Sequence, residues 1–176
     1  MAAPVRVPGA KTYGRKNAWF VPSFTDINNP LVTELTAAGA IELETYLYRE
    51  ATTDPTLSQD GVTAPPRESD TQQFQSRGDA NWNGGTLVYM VDPQAASGAD
   101  GKKVAEALPE GTVGFYARRL SIPFGTAAAA GQFISIWPIE TGAPNEIEQG
   151  DGAAAEVAYS QGYFVTGPPA LTVALA

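Results

Sequence analysis

The sequence predicts a mainly β chain, a sandwich or barrel with one short flanking α-helix, a long loop and extended terminal arms. Short runs of β-branched and aromatic residues recur along it. Turn residues separate those runs, with 18 Gly and 14 Pro in 176 residues. Segments with helical periodicity are few. The length suits one domain with a sizeable core, divided as an N-terminal arm (1–17), a β-domain (18–166) containing the long loop (49–81), and a C-terminal segment (167–176).

Ala18-Trp19-Phe20-Val21 is the first strand, and Pro22 stops it. The loop from Ser23 to Asn29 leads to a short helix over Pro30–Ala37, opened by Pro30 and ended by Gly39. Ile41 to Tyr48 reads as a strand with apolar or neutral odd positions and acidic or aromatic even ones, so Glu42 and Glu44 share a face. From Arg49 to Asn81 the chain is polar and punctuated by Pro55, Pro65 and Pro66, a length that compact domains keep for function or leave disordered. Thr86 to Val91 follows a Gly-Gly turn as an apolar strand. Gly101 to Leu108 gives two helical turns before Pro109. Thr112–Arg119, Gln132–Ile139 and Ala154–Val165 are further strands, the last with a bend at Gly162. Leu171 to Ala174 closes the chain.

Composition removes most chemistry. The chain has no Cys, hence no disulfide or thiol chemistry, and no His, the commonest general base and metal ligand. No apolar run approaches membrane-spanning length. The start lacks an apolar signal core, from which cytoplasmic synthesis is expected. Charge is unevenly placed: Arg6, Lys11, Arg15 and Lys16 stand in residues 1–16 without an acid, whereas the rest holds seven Lys/Arg against nineteen Asp/Glu. A basic arm on so acidic a body suits contact with an acidic neighbour, and the body repels phosphate, which argues against tight nucleic-acid binding.

Three constellations have a bland reading that fits better than a functional one. Asp79-Ala80-Asn81-Trp82-Asn83-Gly84 begins like a calcium loop, but the twelfth position holds Met90 in place of the required Glu, so an Asn/Gly-lined turn is expected. Glu42 with Glu44, and Glu146 with Glu148, could pair as glycosidase acids, yet same-strand acids two apart are ordinary on a solvated sheet face. Trp19, Trp82 and Trp137 could stack on sugars, although core packing accounts for at least two of them. Arg118-Arg119 is expected to pair with acids within or between subunits. No nucleophile elbow or phosphate-cradling loop is present, so no enzyme and no cofactor is expected.

The ordered segments resemble the major tail (tail tube) proteins of long-tailed, non-contractile bacteriophages, above all those of actinobacteria. The resemblance is carried by Ala18–Pro22 through Asn29–Gly39, by Asn83–Tyr89, by Ala107–Arg119, and by Phe133–Ile139 with Val157–Gly167. It covers nearly everything beyond residue 17. It implies a non-catalytic subunit that forms rings of six, which stack into a hollow tube for genome delivery. Shared sheets would form the lumen wall, and the long loop and terminal arms would bridge rings. The implied partners are further copies, tape measure protein, tail terminator or tip proteins, and DNA that passes without tight binding. The implied place is the virion tail, assembled in the host cytoplasm, with no membrane. In such a tube Glu42 and Glu44 are, from alternation alone, candidate lumen-facing acids, the alternative being the tube exterior, and Arg6, Lys11, Arg15, Lys16, Arg49, Arg67 and Arg77 are candidate inter-ring contacts. Two rival readings remain: a carbohydrate- or receptor-binding β-sandwich using the Trp residues, and a glycosidase using the Glu pair.

Overall fold

The computed structural model of the chain describes residues 9–69 and 71–176. Nine strands and one α-helix follow in order among them: β1 (Lys16–Val21), β2 (Ile41–Glu42), β3 (Thr56–Thr63), β4 (Gln75–Asn83), β5 (Thr86–Met90), α1 (Asp100–Ala107), β6 (Val113–Leu120), β7 (Phe133–Gln149), β8 (Glu156–Val165) and β9 (Ala170–Ala174). All strand pairs are antiparallel. Seven strands form one sheet in the order β2-β1-β6-β7-β8-β5, with β9 beside β7, and β3 pairs only with β4.

Alternation along the strands separates two cores. Ala18 and Phe20 of β1, Tyr116 of β6, Trp137 and Ile139 of β7, Tyr163 of β8 and Leu87 and Tyr89 of β5 turn to one face, where Leu43, Val104 and Leu108 close over them. Trp19, Val21, Ala117, Ile134 and Ile136 turn to the other, under Leu35 and Leu175. A sheet buried on both faces reads as continuous apolar runs, as β1 and the start of β7 do.

The sheet curls around the first core, and residues 41–53 run between its two borders. Leu43 N–H donates to Ala18 O of β1 at 2.8 Å, Tyr48 N–H donates to Val88 O of β5 at 2.8 Å, and Met90 N–H donates to Tyr46 O at 3.0 Å. Leu47 and Thr53 bridge Tyr89 and Thr86. The outer border of β5 is thus covered within the chain. From Ala143 onward, β7 pairs only with β8, so one of its edges has no strand partner among the described residues.

Four expectations change. The helix over Pro30–Ala37 is a 3-10 turn, Val32–Thr36, because so short a segment closes i→i+3 bonds. Its start is held by Ala176: Val32 N–H donates to Ala176 O and Ala176 N–H to Pro30 O. The turn ends at Thr36, capped by Ala37 in extended backbone, and Gly39, expected to end it, lies two residues further on at φ +87°. The strand expected from Ile41 to Tyr48 stops at Glu42, because the chain must leave β1 and cross to β5. The long 49–81 loop is largely the β3–β4 hairpin. Its side chains face solvent on both sides, so no burial period marks it. The strand expected to end near Ile139 runs 17 residues, through two prolines. Pro138 lies where β7 changes neighbour from β9 to β8; its C=O points to that side and takes the Thr166 N–H, so its missing N–H falls in the gap. Pro144 ends a bulge between Thr141 and Pro144, opposite Gly162, where a bend was expected on β8.

The turn between β4 and β5 requires two residues without side chains. A Cβ on Gly84 would lie 1.7 Å from Tyr163 O, and one on Gly85 would lie 2.2 Å from Thr53 O and 2.4 Å from the Tyr163 hydroxyl. Backbone cannot yield as a flexible side chain can. Gly85→Ala is therefore expected to lower stability by at least about 1–3 kcal/mol, the usual cost of overpacking. Urea unfolding measures this, and an unchanged midpoint with an unchanged slope would contradict the crowding.

Candidate functional site: the hairpin arm and its root

The β3–β4 hairpin forms a two-stranded arm. Every β3 residue is exposed, and in β4 only Gly78 and Trp82 are partly covered. Leu57, Val62 and, just before β4, Phe74 are 49%, 56% and 61% exposed, so the arm offers apolar side chains to solvent. A lone two-stranded hairpin is marginal in water, so this arm depends on its attachment or on a partner. Register shifts between Gln59 and Gly61, where a Cβ on Gly78 would come within 2.6 Å of Asp60 O. The bulge divides an inner half from an outer half.

The inner half is tied to the barrel. Leu57 stands opposite Trp82, and Trp82 packs against the first core. Asn83 Nδ2 donates to Ser58 Oγ at 3.1 Å. Below them, Thr53 N–H donates to Thr86 O at 2.8 Å and Thr86 N–H to Thr53 Oγ1 at 2.9 Å. Tyr163 Oη donates to Thr53 O at 2.9 Å, and Tyr163 N–H donates to Gly85 O at 3.0 Å. Both limbs of the arm therefore meet at Tyr163.

Beside them sits an ion pair. Arg118 Nη1 lies 2.6 Å from Asp54 Oδ1, with side-chain exposures of 8% and 38%. Tyr116 Oη donates to the same oxygen at 3.1 Å, and Arg118 Nη1 also bonds that hydroxyl. Arg118 Nε is buried without a partner. The arginine is thus the member with most to lose: Asp54 would be hydrated without its partner, whereas Arg118 would not. Burial pushes the Tyr116 and Tyr163 hydroxyls well above the usual tyrosine range.

The other residues singled out from the sequence lie apart. Glu42 is exposed on β2, but Glu44 sits in the turn beyond it, half-buried. Its carboxylate accepts from Asn17 Nδ2 at 3.2 Å and Ala18 N–H at 3.1 Å. The two form no catalytic pair. Glu146 and Glu148 stand two apart on β7 and are exposed. Asp79 to Asn83 belong to strand β4, not to a turn, and no cluster of acids fit to hold a metal occurs among the described residues. Trp19 and Trp137 are buried and Trp82 packs on the core, so the three do not form the expected open platform.

Among the cations, Lys11 is exposed, Arg15 Nη1 donates to Ser121 O at 3.3 Å, and Lys16 opens β1 opposite Leu120. Arg49 stacks on Tyr13 at 4.2 Å and lies 3.8 Å from Glu50. Arg67 lies beyond β3 in the arm, and Arg77 is on β4 opposite Gly61. Arg6 falls outside the described residues. A cavity of about 180 Å³ at the barrel mouth is lined by Lys16, Glu44, Arg49, Arg118 and Phe124 among others.

Arg118 meets the acid expected for it, in Asp54. Arg119 does not: its guanidinium donates to Asn17 Oδ1 at 3.0 Å, to Ala127 O at 3.2 Å, and to Thr126 O and Gln132 Oε1. Asp54 was missed by sequence reading. The one signal that could have found it is an acid immediately before Pro55, at the edge of the long segment.

The family model described as phage tail tube protein matches residues 5–176. No curated protein matches the chain. Among solved structures, a chain of the cryo-EM structure of the anti-feeding prophage baseplate, 6-fold symmetrised, has the same fold: TM-score 0.52 at 8% identity, over 93% of this chain and 95% of that one.

Burial raises the Glu44 carboxyl above its usual 4.5, the Ala18 and Asn17 donors offsetting only part of that. A raised pKa in the folded state adds stability below the unfolded value, lost as pH rises through the folded one. Glu34 has the opposite sign. Burial alone would raise its pKa, but the Leu31 and Thr25 N–H donors outweigh it and lower the carboxyl, so its contribution is lost on acidification. Unfolding curves from pH 4 to 7 are expected to lose part of their downward slope in Glu44→Gln, and an unaltered slope would show that Glu44 is not the titrating group.

Proposed function

Because the chain belongs to the phage tail tube protein family, a structural and non-enzymatic one, we propose that it is the repeating ring subunit of a long-tailed phage's tail tube. Tail tube subunits assemble with one another and with other tail components, as parts of the virion tail. Rings of six copies stack here into a channel through which the genome leaves. The observation that carries this reading is the arm: a hairpin with exposed Leu57, Val62 and Phe74, whose two strands pair only with each other among the described residues. Such a surface suits a neighbour in the next ring. The free edge of β7 beyond Ala143 suits a strand from a neighbour in the same ring. Six is the symmetry of the baseplate that holds a structural neighbour of this fold.

The acidic balance outside residues 1–16 suits a wall along which DNA slides without sticking. Glu42 is the better candidate for that wall, since it is exposed, while Glu44 is engaged by β1. Lys11, Arg15, Lys16 and Arg49 belong to or lie beside the N-terminal segment, and Arg67 and Arg77 belong to the arm; in this reading both sets meet acids of adjacent rings. Arg6 completes the first set by sequence. Tape measure protein fills the lumen before ejection, and terminator and tip proteins end the tube. The tail is of the non-contractile type, the host an actinobacterium, and assembly takes place in the host cytoplasm.

Concentrated protein viewed by electron microscopy is expected to give rings or tubes with a central pore. A strictly monomeric sample, with no tube of this protein in virions, would refute the reading. A variant in which 58–81 is replaced by a short Gly-containing turn should keep the thermal stability of the barrel and lose tube growth. Tubes of normal length from that variant would remove the arm from the ring-to-ring contact.

A further inference from the structure

We propose that Asp54 and Arg118 are positioning residues that fix the direction of the hairpin arm before any second copy binds. The proposal rests on the arm's role in ring contact and adds a statement about the free subunit. Arm and barrel meet at two limbs, 53–55 and 84–85. The second limb is held by packing, because Gly84 and Gly85 lie against Tyr163 with no room for a side chain. The first meets that packing at Thr53 O, against Gly85, and has no glycine wedge of its own. Its register is fixed by Thr53, bonded to Thr86 and to the Tyr163 hydroxyl, and then by Asp54, whose carboxylate meets Arg118 at 2.6 Å and the Tyr116 hydroxyl at 3.1 Å.

Asp54 is the last residue before Pro55, and β3 begins at Thr56. Pro55 is buried and has a fixed φ, so the orientation of Asp54 passes to the arm with little slack. Arg118 is itself set in the centre of the sheet, between β1 and β7, and cannot follow the arm if the arm swings. A swing would strand its charge in the interior, with Nε already unbonded. The pair therefore penalises every arm direction but one. An arm aimed beforehand loses less freedom when it docks, which favours assembly without adding a contact.

The test uses the intact chain, whose lack of cysteine makes site-specific spin labelling simple. Labels on Thr71→Cys near the arm's turn and on Glu110→Cys on the barrel report their separation by pulsed electron–electron resonance, in dilute monomer. One narrow distance peak is expected for the otherwise unaltered chain; a broad distribution there would overturn the proposal at once. In Asp54→Asn the peak is expected to broaden. Should that variant unfold, the paired change Asp54→Leu with Arg118→Met removes both charges without stranding either. A broad distribution, with the barrel amides still protected from hydrogen exchange, supports the positioning role. A peak as narrow as before in a folded variant refutes it, since a merely stabilising pair would change the melting temperature and not the arm's direction. The measurement needs no tube, so failure of the tube reading and failure of this one are separate results.

Discussion

Residues 41–54 impose the constraint on which the rest depends. The sheet has to curl to enclose its aromatic core, and a curled sheet leaves two borders facing each other. This strip meets both, pairing with β1 through Ile41 and Leu43 and with β5 through Tyr46, Tyr48 and Thr53. Buried backbone donors and acceptors need partners, and the strip supplies them where two full strands could not meet. It also sets where the arm begins: the strip's last contact with β5 is at Thr53, and β3 starts at Thr56.

The interior so enclosed is not purely apolar. Tyr89 donates to Gln161, whose amide nitrogen donates to Leu108 O and Gly142 O, joining β5, β8, the end of α1 and the β7 bulge. Each group is satisfied, so the set specifies register more than it adds stability. Arg119 plays a related part on the opposite face. It spends its donors on Asn17, Gln132 and the carbonyls of Thr126 and Ala127, with Trp19 beneath it at 5.1 Å, and so gathers the 121–132 loop onto the sheet. The adjacent arginines point to opposite faces because the strand period is two. One therefore secures the arm and the other a loop.

Much of this was legible locally. The strands β1, β5, β6 and β8 and the helix α1 were evident from their apolar residues and the turn residues between them, because each buries side chains against a core, and β9 from its short apolar run after Gly167-Pro168-Pro169. The β3–β4 arm was not, because a hairpin solvated on both faces has no hydrophobic period and is defined by pairing alone. The far half of β7 was hidden by Pro138 and Pro144, which are tolerated only because its neighbours change or end at those points. Asp54 and Tyr116 lie 62 positions apart, and nothing in either neighbourhood announces the other.

By itself, the sequence determined the β class, the emptiness of the chemistry, the uneven charge and, through the order of its motifs, the likeness to tail tube proteins. Those depend on composition and on spacing within a few residues, which the chain displays directly. Only the tertiary structure decided that the polar middle segment is an ordered arm, that Glu42 and Glu44 part company, and that one arginine of an adjacent pair stands at the arm's root. Each follows from contacts between segments far apart in sequence, and such contacts exist only once the sheet has closed.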